Sequence, residues 1–250
     1  MEIIDERYNI PENMQETLRK DIAPEKEGWY RYKRGAQELY EAIKVKFDLF
    51  EYLGQLVQNN PDRQVSLLES GCGYGHLGRD LRQGFTFDST DFLHTTSPDG
   101  IIAWKKSLSG REYPGFGNRI KIVGATLSIN HAEYIQKRLA NNLQPDQIVV
   151  GSIAEHDFGS FQFDVLIDHY GPATHHPSEK LFQSYADILR RDGLCLIKTS
   201  FISERNKEHY EHYLHQSGLY LVNPDAFDKT TMLLKTSSLS LGVLANTPPR

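Results

Sequence analysis

Residues 65–75, VSLLESGCGYG, constrain this chain more than any other stretch. An apolar run reaches Glu69 and passes at once into glycines at three alternate positions, Gly71, Gly73 and Gly75. The run predicts a buried parallel strand, and the HLGRDLRQ that follows predicts the opening of a helix. Glycines between the two let the backbone reverse tightly and let a ligand lie against bare main chain. Glu69, at the strand end, is placed to accept hydrogen bonds from a ligand's ammonium group.

The rest of the chain supplies the matching rhythm. Apolar positions Leu39, Tyr40, Ile43, Phe47, Phe50, Leu53 and Val57 recur at helical spacing before the first strand, ended by Asn59, Asn60 and Pro61. Beyond the glycines, strands are expected at 120–126, 147–150, 163–167, 194–199, 219–222 and 231–235. Helices are expected at 130–142, 178–190 and 205–217, with Ser178 capping the second and Gly193 ending it. Strand and helix in alternation predict an α/β fold, a mostly parallel sheet with helices on both faces. Residues 1–27 are polar and predict a loosely held arm or lid leading into helices up to residue 58. Residues 85–119 are rich in glycine, proline and scattered aromatics. They are longer than a normal connection, and predict an insertion that folds over a substrate as a lid. One domain covers residues 1–250 on this reading.

Composition narrows the setting. The 250 residues are 39% hydrophobic, enough for one sizeable core, and the net charge of −5 argues against a broadly basic nucleic-acid face. Two cysteines at unrelated positions, 72 and 195, predict neither a zinc site nor a disulfide framework. The polar N-terminus carries no secretory signal, and no apolar run approaches the ~20 residues that span a bilayer. A cytoplasmic protein of undetermined oligomeric state, without a bound metal, is the expectation. His209, His212 and His215 step by three along a helix and match no ordinary zinc pattern.

Two cofactor classes fit the glycines. Gly73 to Gly78 also satisfies the GxGxxG of dinucleotide-binding units, with Asp88 or Asp91 at roughly the right distance for the ribose acid. An acid followed by GxGxG, however, closely resembles the first motif of the class I S-adenosylmethionine (SAM) methyltransferases. The segment Gly124-Ala125-Thr126-Leu127-Ser128, followed by NHAEYIQKR, resembles the cyclopropane-fatty-acid synthase branch of that family. The resemblance covers roughly residues 39–238. It implies a Rossmann-like sheet of seven strands with the last antiparallel, and SAM as cofactor.

It also implies a set of site residues. Glu69, Gly71, Gly73 and Gly75 would hold the methionine end, and Thr126, Leu127 and His131 the ribose. Ser152 and Ile153, after the third strand, would frame the adenine. The loop ending the fourth strand would face the substrate, with Asp168, His169, Tyr170 and His175 as candidates to hold or deprotonate it. The expected acceptor is a small molecule or a lipid. RNA is the second possibility, because Lys46, Asp168 and Lys198 match three places of the Lys–Asp–Lys–Glu set of RNA ribose 2'-O-methyltransferases; the glutamate is missing near Thr231. A SAM-binding protein without turnover is the third.

Overall fold

Strand alternates with helix across nearly the whole chain, as the apolar periodicity requires. The computed structural model describes residues 1–10, 12, 35–88, 99–199, 202–223 and 225–236. Its strands are β1 (Glu2–Asp5), β2 (Val65–Ser70), β3 (Gly84–Thr86), β4 (Glu112–Pro114), β5 (Ile120–Thr126), β6 (Gln147–Val150), β7 (Phe163–His169), β8 (Leu189–Lys198), β9 (Tyr220–Leu221) and β10 (Thr231–Lys235). Its α-helices are α1 (Ala36–Ala42), α2 (Leu49–Asn59), α3 (His76–Gln83), α4 (Asp99–Ser107), α5 (Ile129–Arg138), α6 (Pro172–His175), α7 (Glu179–Ile188), α8 (Glu204–Ser217) and α9 (Ala226–Lys229).

Eight strands form the main sheet in the order β1-β6-β5-β2-β7-β8-β10-β9. All neighbours run parallel except β10, which is antiparallel to both β8 and β9. After the edge strand β1, the chain enters the centre of the sheet at β2, winds outward through β5 and β6, then returns to the other side of β2 with β7. That reversal places a topological switch point at the carboxyl end of β2, where open α/β sheets bind ligands. An antiparallel last strand agrees with the expectation drawn from the family resemblance.

The eighth strand is a correction. Residues 2–5, read from the sequence as part of a loose polar arm, pair in parallel register with β6, Glu2 opposite Gln147 through Asp5 opposite Val150. Met1 and Ile3 pack on a small core of Cys72, Ala132, Ile135, Ile148 and Val150. Covering β6 removes an open row of backbone donors and acceptors, which outweighs the local polarity of the segment. Most of the rest of the arm lies outside the described residues.

The central strands are buried on both faces, as their unbroken apolar runs demand. One face, with Leu67, Ile122, Val165, Ile167 and Leu196, packs under α1, α2 and α3. The other, with Leu68, Val123, Leu166, Cys195 and Ile197, packs under α7 and α8. Caps fix the helix starts: Asp48 accepts from Glu51 N at 3.1 Å, and Ser178 from Leu181 N at 3.2 Å. Helix α7 ends at Ile188, and Gly193, expected to stop it, lies inside β8. Asp192 adopts φ 65° there, beside a register shift against β7, so a strand irregularity accounts for the glycine.

The 85–119 segment is only partly the flap expected of it. Its β3 and β4 form an antiparallel ribbon, and Phe85 stacks on Tyr113 at 5.0 Å. Phe87 and Tyr113 are buried against Tyr40, with ring centroids at 5.5 and 5.8 Å. These aromatics belong to the core under α1 and α2, where their large apolar area is better used than in a mobile cover. Residues 89–98 of the expected lid, with Asp91, lie outside the described residues.

Candidate active site

The glycine loop after β2 occupies the switch point. Gly71 N and Cys72 N both donate to Ala125 O at 2.9 Å, tying the loop to the end of β5. All three glycines take left-handed φ values, 81°, 49° and 70°. Packing explains two of them. A Cβ on Gly71 would stand 2.8 Å from Gly171 Cα, and one on Gly75 3.0 Å from the Ile135 side chain. A Cβ on Gly73 would meet nothing within 4 Å. Gly73 alone presents bare backbone to open space, as a cofactor cradle requires.

Glu69 sits beneath this loop on the α3 side. The Gly78 backbone amide helps its carboxylate, yet burial dominates and pushes its pKa up to about 8, with Asp80 adding repulsion. Its Oε2 is solvent-excluded and has no hydrogen-bond partner. A buried carboxyl left in this state is costly unless a donor arrives. An ammonium group would be a donor of the right charge for such a carboxyl.

At the end of β5, Thr126 Oγ1 lies 3.0 Å from His131 Nδ1 and accepts from Ser128 N at 3.2 Å. Burial lowers the His131 pKa, so the ring is neutral. Tyr74, which the sequence reading did not single out, stands in the glycine loop edge-on to His131 and Tyr134, at 4.8 and 4.7 Å. Its aromatic identity in a glycine loop was the available signal. Leu127 is half-buried beside this group. No acid stands at the end of β5, and Asp88 belongs to the β3 end of the side ribbon, its amide bonded to Gln37 Oε1 at 2.9 Å. The dinucleotide reading thus lacks its ribose carboxylate on the second strand.

The adenine expectation is corrected in part. Ile153 is 2% exposed and packs in the Leu68–Val149 core, so it cannot lie on a base. The turn after β6, in which Glu155 N and His156 N both donate to Ser152 O, directs Ile153 inward. Ser152 itself is buried, and Glu6 crosses Gly151 and bonds His156 Nδ1 at 2.7 Å.

The β7 loop separates the four substrate-facing candidates. Asp168 is fully buried and accepts from Gly171 N at 2.7 Å, Ala173 N at 2.9 Å and Tyr185 OH at 2.6 Å. Burial raises its pKa to about 6 against the pull of these donors. It clamps the loop, with both carboxylate oxygens engaged by the protein's own donors. His175, on α6, is exposed. His169 is half-buried and Tyr170 exposed, their rings 4.7 Å apart, and Tyr170 holds φ 55°. His169 Nε2 is solvent-excluded and unpartnered, and burial with nearby Lys198 lowers its pKa to about 4.

Lys198 pairs with His169 in the parallel register, whereas Asp168 pairs with Ile197. Successive residues of a strand point to opposite faces, so Asp168 and Lys198 lie on opposite sides of the sheet. The Lys46–Asp168–Lys198 set is therefore not assembled. Lys198 is 2% exposed, and its Nζ donates inward to Thr199 O at 2.8 Å, to Thr230 O at 3.3 Å and to Thr230 Oγ1. Its amine does not reach solvent as a strand-end lysine ordinarily would.

Two shallow concavities of about 460 and 440 Å³ flank the β3–β4 ribbon, away from the strand ends. Their walls include Gln37, Asp80, Asp88 and Tyr113, and none of the glycine-loop, β5-end or β7-loop candidates. Among the described residues no cluster of histidine, cysteine or acidic side chains can hold a metal ion, and no helix is long and apolar enough to cross a membrane.

No family model and no curated protein matches the sequence. Solved structures do show similarity. DesVI of Streptomyces venezuelae is 11% identical, with 82% of this chain and 94% of that one covered at a TM-score of 0.47. A SAM-bound amino pentose methyltransferase of Micromonospora echinaspora is 10% identical over 77% and 93%, at 0.45. A TehB-like SAM-dependent methyltransferase of Corynebacterium glutamicum is 15% identical over 80% and 93%, at 0.42. At such identities and scores the reading that follows rests on this chain's own topology and site.

Proposed function

We propose that the protein is a SAM-dependent methyltransferase acting on a small-molecule acceptor. One observation carries the reading: at the switch point, Gly73 opens bare backbone to space in the loop that follows Glu69, a buried carboxyl whose Oε2 has no hydrogen-bond partner. A ligand with an ammonium group and a nucleoside end suits this pairing. Glu69 would take the ammonium, the Gly71–Gly75 backbone would lie along the methionine, and the Thr126–His131 pair would meet the ribose.

When bound, SAM supplies a methyl on positive sulfur; the acceptor's lone pair forms the new bond as the C–S bond breaks, its electrons return to sulfur, and S-adenosylhomocysteine leaves. The chain's own task is alignment, exclusion of water and handling of the acceptor's proton. His169 is the residue we assign to the acceptor's hydrogen. Its neutral imidazole, in the Nδ1-protonated tautomer, would offer Nε2 as an acceptor to the nucleophile's N–H or O–H. A pKa near 4 makes it a holder of that hydrogen rather than a store for the proton, which passes on to solvent. Tyr170, 36% exposed, borders the same opening. Asp168 acts only by holding the loop that carries both.

The test has two stages. Calorimetry should find SAM and S-adenosylhomocysteine binding one-to-one, and Gly73→Val, verified as folded by circular dichroism, should abolish binding by filling the cradle. Labelled SAM with fractionated extract should then place label in small metabolites. Unchanged affinity in Gly73→Val sinks the cofactor assignment, label in RNA sinks the acceptor class, and tight binding with no transfer makes the chain a SAM-binding non-enzyme.

A further inference from the structure

A ligand whose amino acid meets Glu69 must lay its nucleoside across neighbouring strand ends, because strands stand only about 4.8 Å apart. One direction is closed. Toward β7, a Cβ on Gly71 would stand 2.8 Å from Gly171 Cα, and Asp168 pins that loop through Gly171 N and Ala173 N. The other direction passes Thr126 and His131 at the end of β5 and reaches the end of β6, where Gly151 N donates to Thr126 O at 2.9 Å.

The end of β6 is not bare. Glu6 N donates to Val150 O at 2.8 Å, one step past the Asp5–Val150 pair, so the N-terminal segment continues beyond the strand. It then crosses Gly151, where a Cβ would stand 3.0 Å from Glu6 O and 3.2 Å from Glu6 Cβ. The Glu6 carboxylate accepts from His156 Nδ1 at 2.7 Å, in a pair whose side chains are only 21% and 8% exposed. Phe158, edge-on to the His156 ring at 4.4 Å, packs in turn on the core under α7 and α8. Asn9 N donates to Glu6 O at 2.8 Å and Ile10 N to Arg7 O at 3.2 Å, so the chain coils at this end of the sheet instead of running on. Residues 2–5 suffice to cover the open edge of β6. The Glu6–His156 bond is a second hold, and it lies at the carboxyl ends of the strands, where ligands bind.

We infer that residues 6–10, clasped to the end of β6 by Glu6 and His156, form a wall of the cofactor site against which the nucleoside end of SAM lies. Naming SAM rests on the methyl-transfer reading; a wall for a nucleoside does not. Glu6 and His156 are positioning residues on this account. They hold the segment in place, and the segment completes a pocket that the turn after β6, with Ile153 directed into the core, leaves without a side chain of its own for the base. A wall fixed before the ligand arrives spares the entropy of ordering it on binding.

Two ligands test this on the full-length protein: S-adenosylhomocysteine, and 5'-methylthioadenosine, which keeps the nucleoside and lacks the amino acid. In hydrogen exchange each should slow the amides of residues 6–10 fivefold or more. A purely structural strand would show no such ligand-dependent slowing. In calorimetry Glu6→Ala and His156→Ala, which undo the clasp from either side, should each weaken both ligands fivefold or more and by the same factor. Lys137→Gln, exposed on α5, should bind both as wild type does. If one clasp variant folds poorly the other remains, and the exchange measurement needs neither. Absence of slowing at 6–10 under a ligand that slows 71–75 overturns the wall, as does a loss confined to S-adenosylhomocysteine. Binding that Gly73→Val abolishes but both clasp variants keep removes the wall and leaves the methyl-transfer reading standing. Should 5'-methylthioadenosine bind with the clasp dependence while SAM and S-adenosylhomocysteine do not bind, that reading falls and the wall stands. If the protein binds none of them, both fall.

Discussion

Asp168 and His169 are consecutive residues at the end of one strand, yet they end in opposite circumstances. On the α7 side, the Asp168 carboxylate takes three hydrogen bonds, and Tyr185 OH continues to Ser70 Oγ at 2.9 Å. Both oxygens of that carboxylate are engaged within the protein. On the α1 side, among the described residues, Glu69 Oε2 and His169 Nε2 have no hydrogen-bond partner, and Lys198 Nζ donates to neutral oxygens of Thr199 and Thr230. Buried polar groups are ordinarily satisfied within the protein, so a strand end saturated on one face and wanting on the other divides support from function. Choosing site residues by chemical type alone put Asp168 and His169 in one category; the sheet puts them in two.

The comparison breaks most visibly at Asp168. Asp168→Ala leaves Gly171 N, Ala173 N and Tyr185 OH without an acceptor in a dry interior, and should cost about 3–5 kcal/mol of stability by urea unfolding. If instead the variant is as stable as wild type but loses methyl transfer, Asp168 is part of the chemistry and the division fails.

A smaller effect tests the unsatisfied face. Burial raises the Glu69 pKa to about 8 and the Asp168 pKa to about 6, both above the ordinary carboxylate range. A native pKa raised in this way means that the folded state holds protons the unfolded chain has released. Stability from these groups is full below about pH 4 and is lost as pH rises through about 6 and then 8. Unfolding measured from pH 5 to 9 should show a decline on the order of a few kcal/mol, and Glu69→Gln should remove its upper part. A wild-type profile flat above pH 6 would mean that Glu69 already has a counter-charge.

Lys198→Met should do least to the fold. Burial lowers the Lys198 pKa to about 8, so neutralising the group releases its desolvation cost while losing hydrogen bonds to Thr199 and Thr230. The stability contribution of a lowered lysine pKa is present above about pH 10 and lost as pH falls through 8, so the charge is a net burden at pH 7. The expected change at pH 7 is within about 1 kcal/mol of zero. Destabilisation as large as that of Asp168→Ala would make Lys198 a structural residue and erase the contrast.

Much was legible before any coordinates. Apolar runs bounded by turn residues located β5, β6 and β10 to the residue and β2 to within one, because a strand buried on both faces must be largely apolar along its length. Glycines at alternate positions after a strand marked the ligand loop, and the loop lies at the switch point. What failed had long-range causes. The polarity of residues 2–5 hid a strand whose stability comes from pairing with β6, more than 140 positions away. Aromatics between 85 and 119 looked like a cover because their partners, Tyr40 and Phe50, lie in helices well upstream.

The sequence by itself determined the α/β order, the glycine loop and the kinds of side chain gathered at the strand ends, since these depend on local periodicity and on backbone freedom at single residues. Only the tertiary structure decided which of those side chains meet. Register between β7 and β8 sets Lys198 beside His169 and across the sheet from Asp168, and the β8–β10 pairing brings Lys44 to the same corner. Strand pairing has a period of two, so one residue of register exchanges the two faces. No local property of Asp168 or Lys198 records that choice.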